Sequence, residues 1–347
     1  MKKTAAALIV LLLTITAVDS TLVNLGKANP IVPENTWSTK APMPQAEGHV
    51  RAAEVNGKLY VMGGSINYEY DPAANNWTEK TPMPTPRSHF GIAVYQNKIY
   101  AIGDLGSSPA NEVYDPATGT WEIKEPMPAN RTYTTANVVG DKIHVISEDG
   151  HDVYDVAADS WTVEESMPYS VVQFGTAVID KKIYVIAWNQ TQIYDTETDT
   201  WSLGASSPIP VSSAGVCATT GVMSPKRIYV IGGALSFLNY TTATQAYNPE
   251  NDSWTLGAPM FTPRAGLEAA VANDMIFAIG GSRYWGKTES VNEQYIPLGY
   301  GKPEPSPSPE PTPRTESFPP TLFIGSAVAV VAVVGLGLLV YLKKRKG

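Results

Sequence analysis

The chain has 347 residues, a net charge of −8 and 43% hydrophobic residues, enough for one domain of about 260 residues with a substantial core. Setting aside Lys2, Lys3, Asp19 and the four cations of the C-terminal tail leaves −13 on residues 21–342, which argues against nucleic acid or an anionic surface as the main partner. A single cysteine, Cys217, excludes an internal disulfide framework.

In chain order, Lys2 and Lys3 precede an apolar stretch from Ala5 to Val18 with no charge before Asp19. This predicts a signal peptide over residues 1–20, with a cleavage site as late as 28; an uncleaved anchor is the alternative. Residues 22–36, with Pro30 and Pro33, read as a lead-in. Trp37 then opens a repeat, followed by Pro42-Met43-Pro44.

The repeat is carried by Lys58-Leu59-Tyr60-Val61-Met62-Gly63-Gly64, then Tyr70-Asp71-Pro72, Trp77 and Pro82-Met83-Pro84. Lys98-Ile99-Tyr100-Ala101-Ile102-Gly103, Tyr114-Asp115-Pro116, Trp121 and Pro126-Met127-Pro128 repeat it. Lys182-Ile183-Tyr184 with Tyr194-Asp195 and Trp201 does so again, as does Arg227-Ile228-Tyr229 through Gly232-Gly233 with Tyr247-Asn248-Pro249 and Trp254. The landmark tryptophans are Trp37, Trp77, Trp121, Trp161, Trp201 and Trp254, at spacings of 40, 44, 40, 40 and 53. The last interval carries insertions near 221–226 and 234–243. A period of about 20–50 residues signals a solenoid or propeller. Each unit reads as four short strands, with turns such as Asn56-Gly57 suited to tight hairpins.

These units resemble the kelch repeat over residues 37–298. The resemblance implies an all-β, six-bladed kelch-type β-propeller, with WD-repeat propellers as the alternative fold. Six first strands follow Trp37, while the last unit stops at Glu293-Gln294-Tyr295. Strand counting therefore predicts that Trp37–Lys40 completes the last blade. Cys217, in a small-apolar first strand, is read as an inert core residue.

Residues 302–320 are rich in Pro, Ser, Thr and Glu and read as an extended stalk. Residues 322–342 carry no charge and are long enough for a C-terminal transmembrane helix, and the basic tail 343–347 should stay cytoplasmic. The expected arrangement is single-pass type I at the cell membrane, with the propeller outside. Composition, stalk and tail resemble prokaryotic surface proteins of the archaeal type. Sequons at Asn76, Asn130, Asn189, Asn239 and Asn251 are glycosylation candidates.

In a propeller the loops from second to third strand, and from fourth to first, share one face. Their lengths vary here, and variable loops on a rigid scaffold are where binding is placed; the kelch resemblance implies the same face. Three residues after each Met-Pro proline lie Glu47, Arg87, Arg131, Val171, Ser213 and, in register, Arg264. Two further on lie His49, His89, Tyr133, Gln173, Gly215 and Gly266. Arg87, Arg131 and Arg264 would hold a carboxylate at the channel mouth through bidentate bonds, or else pin each loop to its own blade. His49 and His89 are candidate ligand-binding groups. Tyr68, Trp188, Tyr284 and Trp285 fall outside the scaffold pattern, with Arg283 beside two of them, and would form stacking platforms for a sugar.

No nucleophile–base pair, metal spacing or phosphate loop is visible, so no catalytic residue, metal ligand or cofactor is assigned. The function expected is a surface-displayed module binding an extracellular protein or glycan. The alternative is a kelch-scaffold enzyme acting on a sugar, for which galactose oxidase and N-acetylneuraminate epimerase are precedents. The former needs a copper site and a Cys–Tyr link, a constellation that four scattered histidines and one strand-embedded cysteine do not supply.

Overall fold

The alternation of β-branched and aromatic residues in Leu59-Tyr60-Val61 and its repeats sends side chains to both faces of a strand. Both faces are then covered by neighbouring sheets. The structure, a computed structural model, describes residues 33–103, 109–284 and 287–302. The expected signal peptide, the stalk from residue 303, the 322–342 span and the tail lie outside those residues. Among the described residues there is no helix, and hence none long and apolar enough to cross a membrane.

Six four-stranded antiparallel sheets form the blades of a propeller. The first comprises Arg51–Val55, Lys58–Gly63, Ile66–Asp71 and Asn76–Glu79. The second begins at Gly91–Tyr95, the third at Thr135–Val139, the fourth at Gly175–Ile179 and the fifth at Gly215–Ala218. The sixth takes Glu268–Ala272, Met275–Ile279 and Asn292–Ile296, and its outer strand is Thr36–Thr39, from the other end of the domain. Thr36 pairs with Ile296, Trp37 with Tyr295 and Thr39 with Glu293. The expected closure is therefore the observed one. The first strands touch one another around the axis, sixth against first included, so the ring is complete.

Aromatic residues tie the blades together by the same contact six times. The ring in each second strand packs on the third-strand tyrosine of the next blade: Tyr60–Tyr114, Tyr100–Tyr154, His144–Tyr194, Tyr184–Tyr247, Tyr229–Tyr295 and Phe277–Tyr70. Centroid separations are 5.7 Å for the Phe277 pair and 6.2 Å for the Tyr100 pair. Each tyrosine then stacks on the tryptophan opposite it, as Tyr295 does on Trp37 at 5.1 Å. Every landmark indole donates Nε1–H to a carbonyl of the preceding blade: Trp37 to Ala258, Trp77 to Ala41, Trp121 to Thr81, Trp161 to Glu125, Trp201 to Glu165 and Trp254 to Ala205. Such rings bury large apolar areas without stranding their polar atoms. Tyr68, read as a stacking platform, is instead 8% exposed, its edge against Trp77 in the core beneath Val50 and Phe277. Cys217 is buried, and burial pushes its thiol pKa up, as expected of an inert residue.

His144 is the odd member of the second-strand series, where the other five blades carry Tyr or Phe. Its Nδ1 lies 3.0 Å from Nε2 of fully buried His151. Burial first, and the neighbouring ring second, push the His144 pKa down to about 4. Burial also lowers that of His151. Below pH 6.5 the unfolded chain takes up protons that the folded pair refuses, so stability is lost as pH falls from about 6.5 towards 4. Glu268, half-buried in the channel and pushed up to about 7 by desolvation, works in the opposite sense between about 4.5 and 7. In urea titrations at pH 7 and pH 4.5, His144→Phe should therefore lose less stability on acidification than wild type, by about 2–3 kcal/mol. Parallel losses would show that the pair carries no such linkage.

Candidate functional site

The loop-bearing face is organised by one backbone feature repeated six times. His49, His89, Tyr133, Gln173, Ser213 and Gly266 all have φ between 51° and 61°, just before the first strands. Their peptide groups join neighbouring blades: His49 N–H donates to Gly266 O at 2.9 Å, Ser213 to Gln173 O at 2.9 Å and Gly266 to Ser213 O at 2.8 Å. The left-handed turn lifts each of these residues to the channel mouth. Residue 213, not 215, thus holds this position in the fifth blade. The register there runs from Pro208 rather than Pro210, and Val211 takes the position assigned above to Ser213.

Three of the expected ligand-binding residues do other work. Arg264 is fully buried, with Nη2 donating to Glu293 Oε2 at 2.9 Å and to Ala278 O, and Nη1 to Gly280 O at 2.6 Å. Arg87 is buried beside Glu112 and donates to the carbonyls of Ala101, Gly103 and Ala110. Arg131 grips both oxygens of Asp152, at 2.8 and 3.2 Å, and donates to Asp149 O. Gly150 lies directly over its guanidinium, where a Cβ would collide with Cζ. Each arginine pins the loop to its own blade. Where the arginine is replaced by Val171 or Val211, the third strand carries Gln192 or Gln245. Those amides bind both N–H and C=O of Tyr169 and of Ile209. The carboxylate ring expected of these arginines is not assembled, because each guanidinium is turned into its own blade onto an internal carboxylate and backbone carbonyls.

His49 and His89 do come together, their rings 4.1 Å apart, with Tyr133 edge-on to His89 at 4.9 Å. Burial, then the charge of Arg51, lowers the His49 pKa, so its imidazole is neutral at pH 7. Below the histidines the channel widens to about 260 Å³, crossed by Arg51 Nη1 and Glu268 Oε2 at 3.3 Å. Arg283 grips Glu289 at 2.7 and 3.1 Å, on the loop of the sixth blade. Trp285 and the side chain of Tyr284 lie outside the described residues. The five sequon asparagines are all exposed.

Trp188 is 43% exposed at the edge of a depression of about 480 Å³ at the channel mouth. His49, Gln173, Ser213 and Gly266 form its channel side; Phe237, Leu238 and Tyr240 form the outer wall. The outer wall belongs to a hairpin, Ala234–Ser236 paired with Asn239–Tyr240, in the long insertion of the fifth unit. Phe237 and Leu238 are 75% and 50% exposed. These three residues were not singled out from the sequence. The available signal was two adjacent large apolar residues in an insertion that has no scaffold position to fill.

The comparisons agree on the class. Residues 215–261, the fifth blade, match the kelch motif. The solved structure of YjhT superposes with a TM-score of 0.64 at 17% identity, covering 74% of this chain and 96% of that one. A stretch of 76 residues is 37% identical to Kelch-like ECH-associated protein 1A of Danio rerio; it is 21% of this chain and 12% of that protein. With its six blades and repeated Tyr–Trp pairs, the chain is a kelch-repeat β-propeller. It spans about an eighth of the length of the curated relative it matches.

Proposed function

We propose that this propeller is a binding module, displayed outside the cell on a stalk and one C-terminal span, whose ligand docks on the loop-bearing face around Trp188. The observation that carries this reading is the depression at the channel mouth. It is walled by Trp188, Phe237 and Leu238, large apolar side chains left in solvent on a scaffold whose six landmark tryptophans are buried or half-buried against their tyrosines. Exposed apolar groups gathered on a concave rim mark a recognition surface. The kelch motif supports a protein-binding or scaffold role. Display rests on sequence: the apolar start after Lys2 and Lys3, and the uncharged run 322–342 before Lys343.

The test uses intact cells carrying the full chain, probed with a glycan and protein array in solution-labelled form. External protease should remove the propeller and abolish capture while the tail stays protected. Phe237→Ser should weaken capture about tenfold, whereas Ala117→Ser and Glu197→Gln in the opposite turns should leave it unchanged. A protected propeller would overturn the display, and loss only from the opposite turns would overturn the face.

A further inference from the structure

Trp188 occupies a backbone position built for glycine. It is the first residue of a two-residue hairpin loop, with φ of 54°. Its N–H donates to Val211 O at 2.7 Å. Gly64 makes the equivalent bond to Arg87 O with φ of 53°, and Gly233 the one to Arg264 O with φ of 97°. A bulky residue in this region is disfavoured, and strain of this kind collects at functional sites. Burial does not offset it, since the indole stays in solvent. The six landmark indoles all donate Nε1–H to a carbonyl, but Trp188 Nε1 meets no acceptor among the described residues.

The chemistry beside it is specific. The lining of the depression contains no Lys, Arg, Asp or Glu among the described residues. Its polar groups are hydroxyls, an amide and one imidazole: Ser212, Ser213, Ser236, Ser282, Tyr240, Gln173 and His49. None of these side chains is hydrogen-bonded to another described residue. We infer that the depression is a site for a neutral pyranose ring, with one C–H face packed on Trp188 and its hydroxyls meeting Gln173 and the serines. This rests on the reading that the loop-bearing face binds. An anionic sugar would lose water without gaining a cation, because Arg87 and Arg264 are closed off by Glu112 and Glu293. An aliphatic side chain would leave the hydroxyls and the amide unpaired. A pyranose satisfies both surfaces at once, having apolar C–H faces and a hydroxyl rim.

The experiment titrates the full chain, in a sugar-free zwitterionic detergent, with methyl glycosides of glucose, galactose, mannose and N-acetylglucosamine. Glucuronate and galacturonate glycosides form the charged arm, and saturation-transfer NMR reads binding. At least one neutral glycoside should bind at millimolar concentration, and its uronate counterpart at least about tenfold more weakly. Trp188→Gly should weaken the neutral glycoside about tenfold while leaving Tm unchanged or raised, because glycine suits the backbone there. Equal binding of the uronate, silence from every neutral glycoside, or a Trp188→Gly protein of full affinity would overturn the inference. A peptide or protein captured by the wild type and lost in Phe237→Ser would, with silent glycosides, leave the binding face standing and remove the sugar. Ligands indifferent to both variants would remove the face as well.

Discussion

Deleting residues 33–40 is expected to destabilise the propeller by more than about 5 kcal/mol. Trp37 is 8% exposed, stacked on Tyr295 at 5.1 Å and bonded to Ala258 O at 2.8 Å. Truncating such a residue alone costs about 3–5 kcal/mol. The deletion also removes Asn35, whose Oδ1 accepts from both Tyr295 Oη and Ala258 N, each at 2.7 Å. It further leaves Asn292–Ile296 as a bare edge of the sixth blade. Urea unfolding of wild type, Trp37→Ala and the deletion should give a graded series of midpoints. A synthetic peptide of residues 33–41, added in excess, should restore part of the loss by pairing with the vacant edge. An unchanged midpoint in the deletion would mean that the outer strand contributes nothing to closure.

Arg264→Met should be nearly as damaging, at about 3–5 kcal/mol, because it leaves the Glu293 carboxylate buried without its cation. The double change Arg264→Met with Glu293→Leu should recover much of that, since replacing both partners strands no charge. Denaturation midpoints for the two singles and the double close the cycle. Additive losses would show that the pair is not coupled. This prediction also separates scaffold from site: a binding defect in an Arg264 variant reports a distorted loop rather than a lost ligand contact.

The blades were legible because each repeat states the same local rules. Asn56-Gly57 forms the tight turn its composition implies, with φ of 54° and 80°, and counting strands around Trp37 and Tyr295 was enough to close the circle. The sequence left the arginines open between ligand ring and loop pin because their partners are remote in sequence. Glu293 lies 29 residues from Arg264 and Glu112 lies 25 from Arg87, in a strand on the far side of the variable loop. A periodic signal reports which positions recur, not whether a charge there meets solvent or a carboxylate. Trp188 was legible as an aromatic outside the repeat, and the repeat register sets it against Gly64, but that its backbone keeps the left-handed φ of 54° despite the bulky side chain came only with the structure. Phe237 and Leu238 escaped notice because an insertion has no counterpart against which an apolar residue looks anomalous.

Joining the two ends of the domain in one blade also sets a clock. Ser38 and its partner Gln294 are 256 residues apart. At ~5–20 residues per second of synthesis, the outer strand waits some tens of seconds before Asn292–Ile296 exists to receive it. The first five blades have all their strands before that moment, whereas the sixth lacks the strand that joins Thr36–Thr39 to Met275–Ile279 until Asn292–Ile296 arrives. Folding therefore finishes with a long-range capture rather than with local hairpins, the slowest kind of contact for a chain to make. During the wait the segment around Trp37 is an unpaired strand with its indole uncovered, open to pairing with the wrong neighbour, including the same vacant edge in another copy.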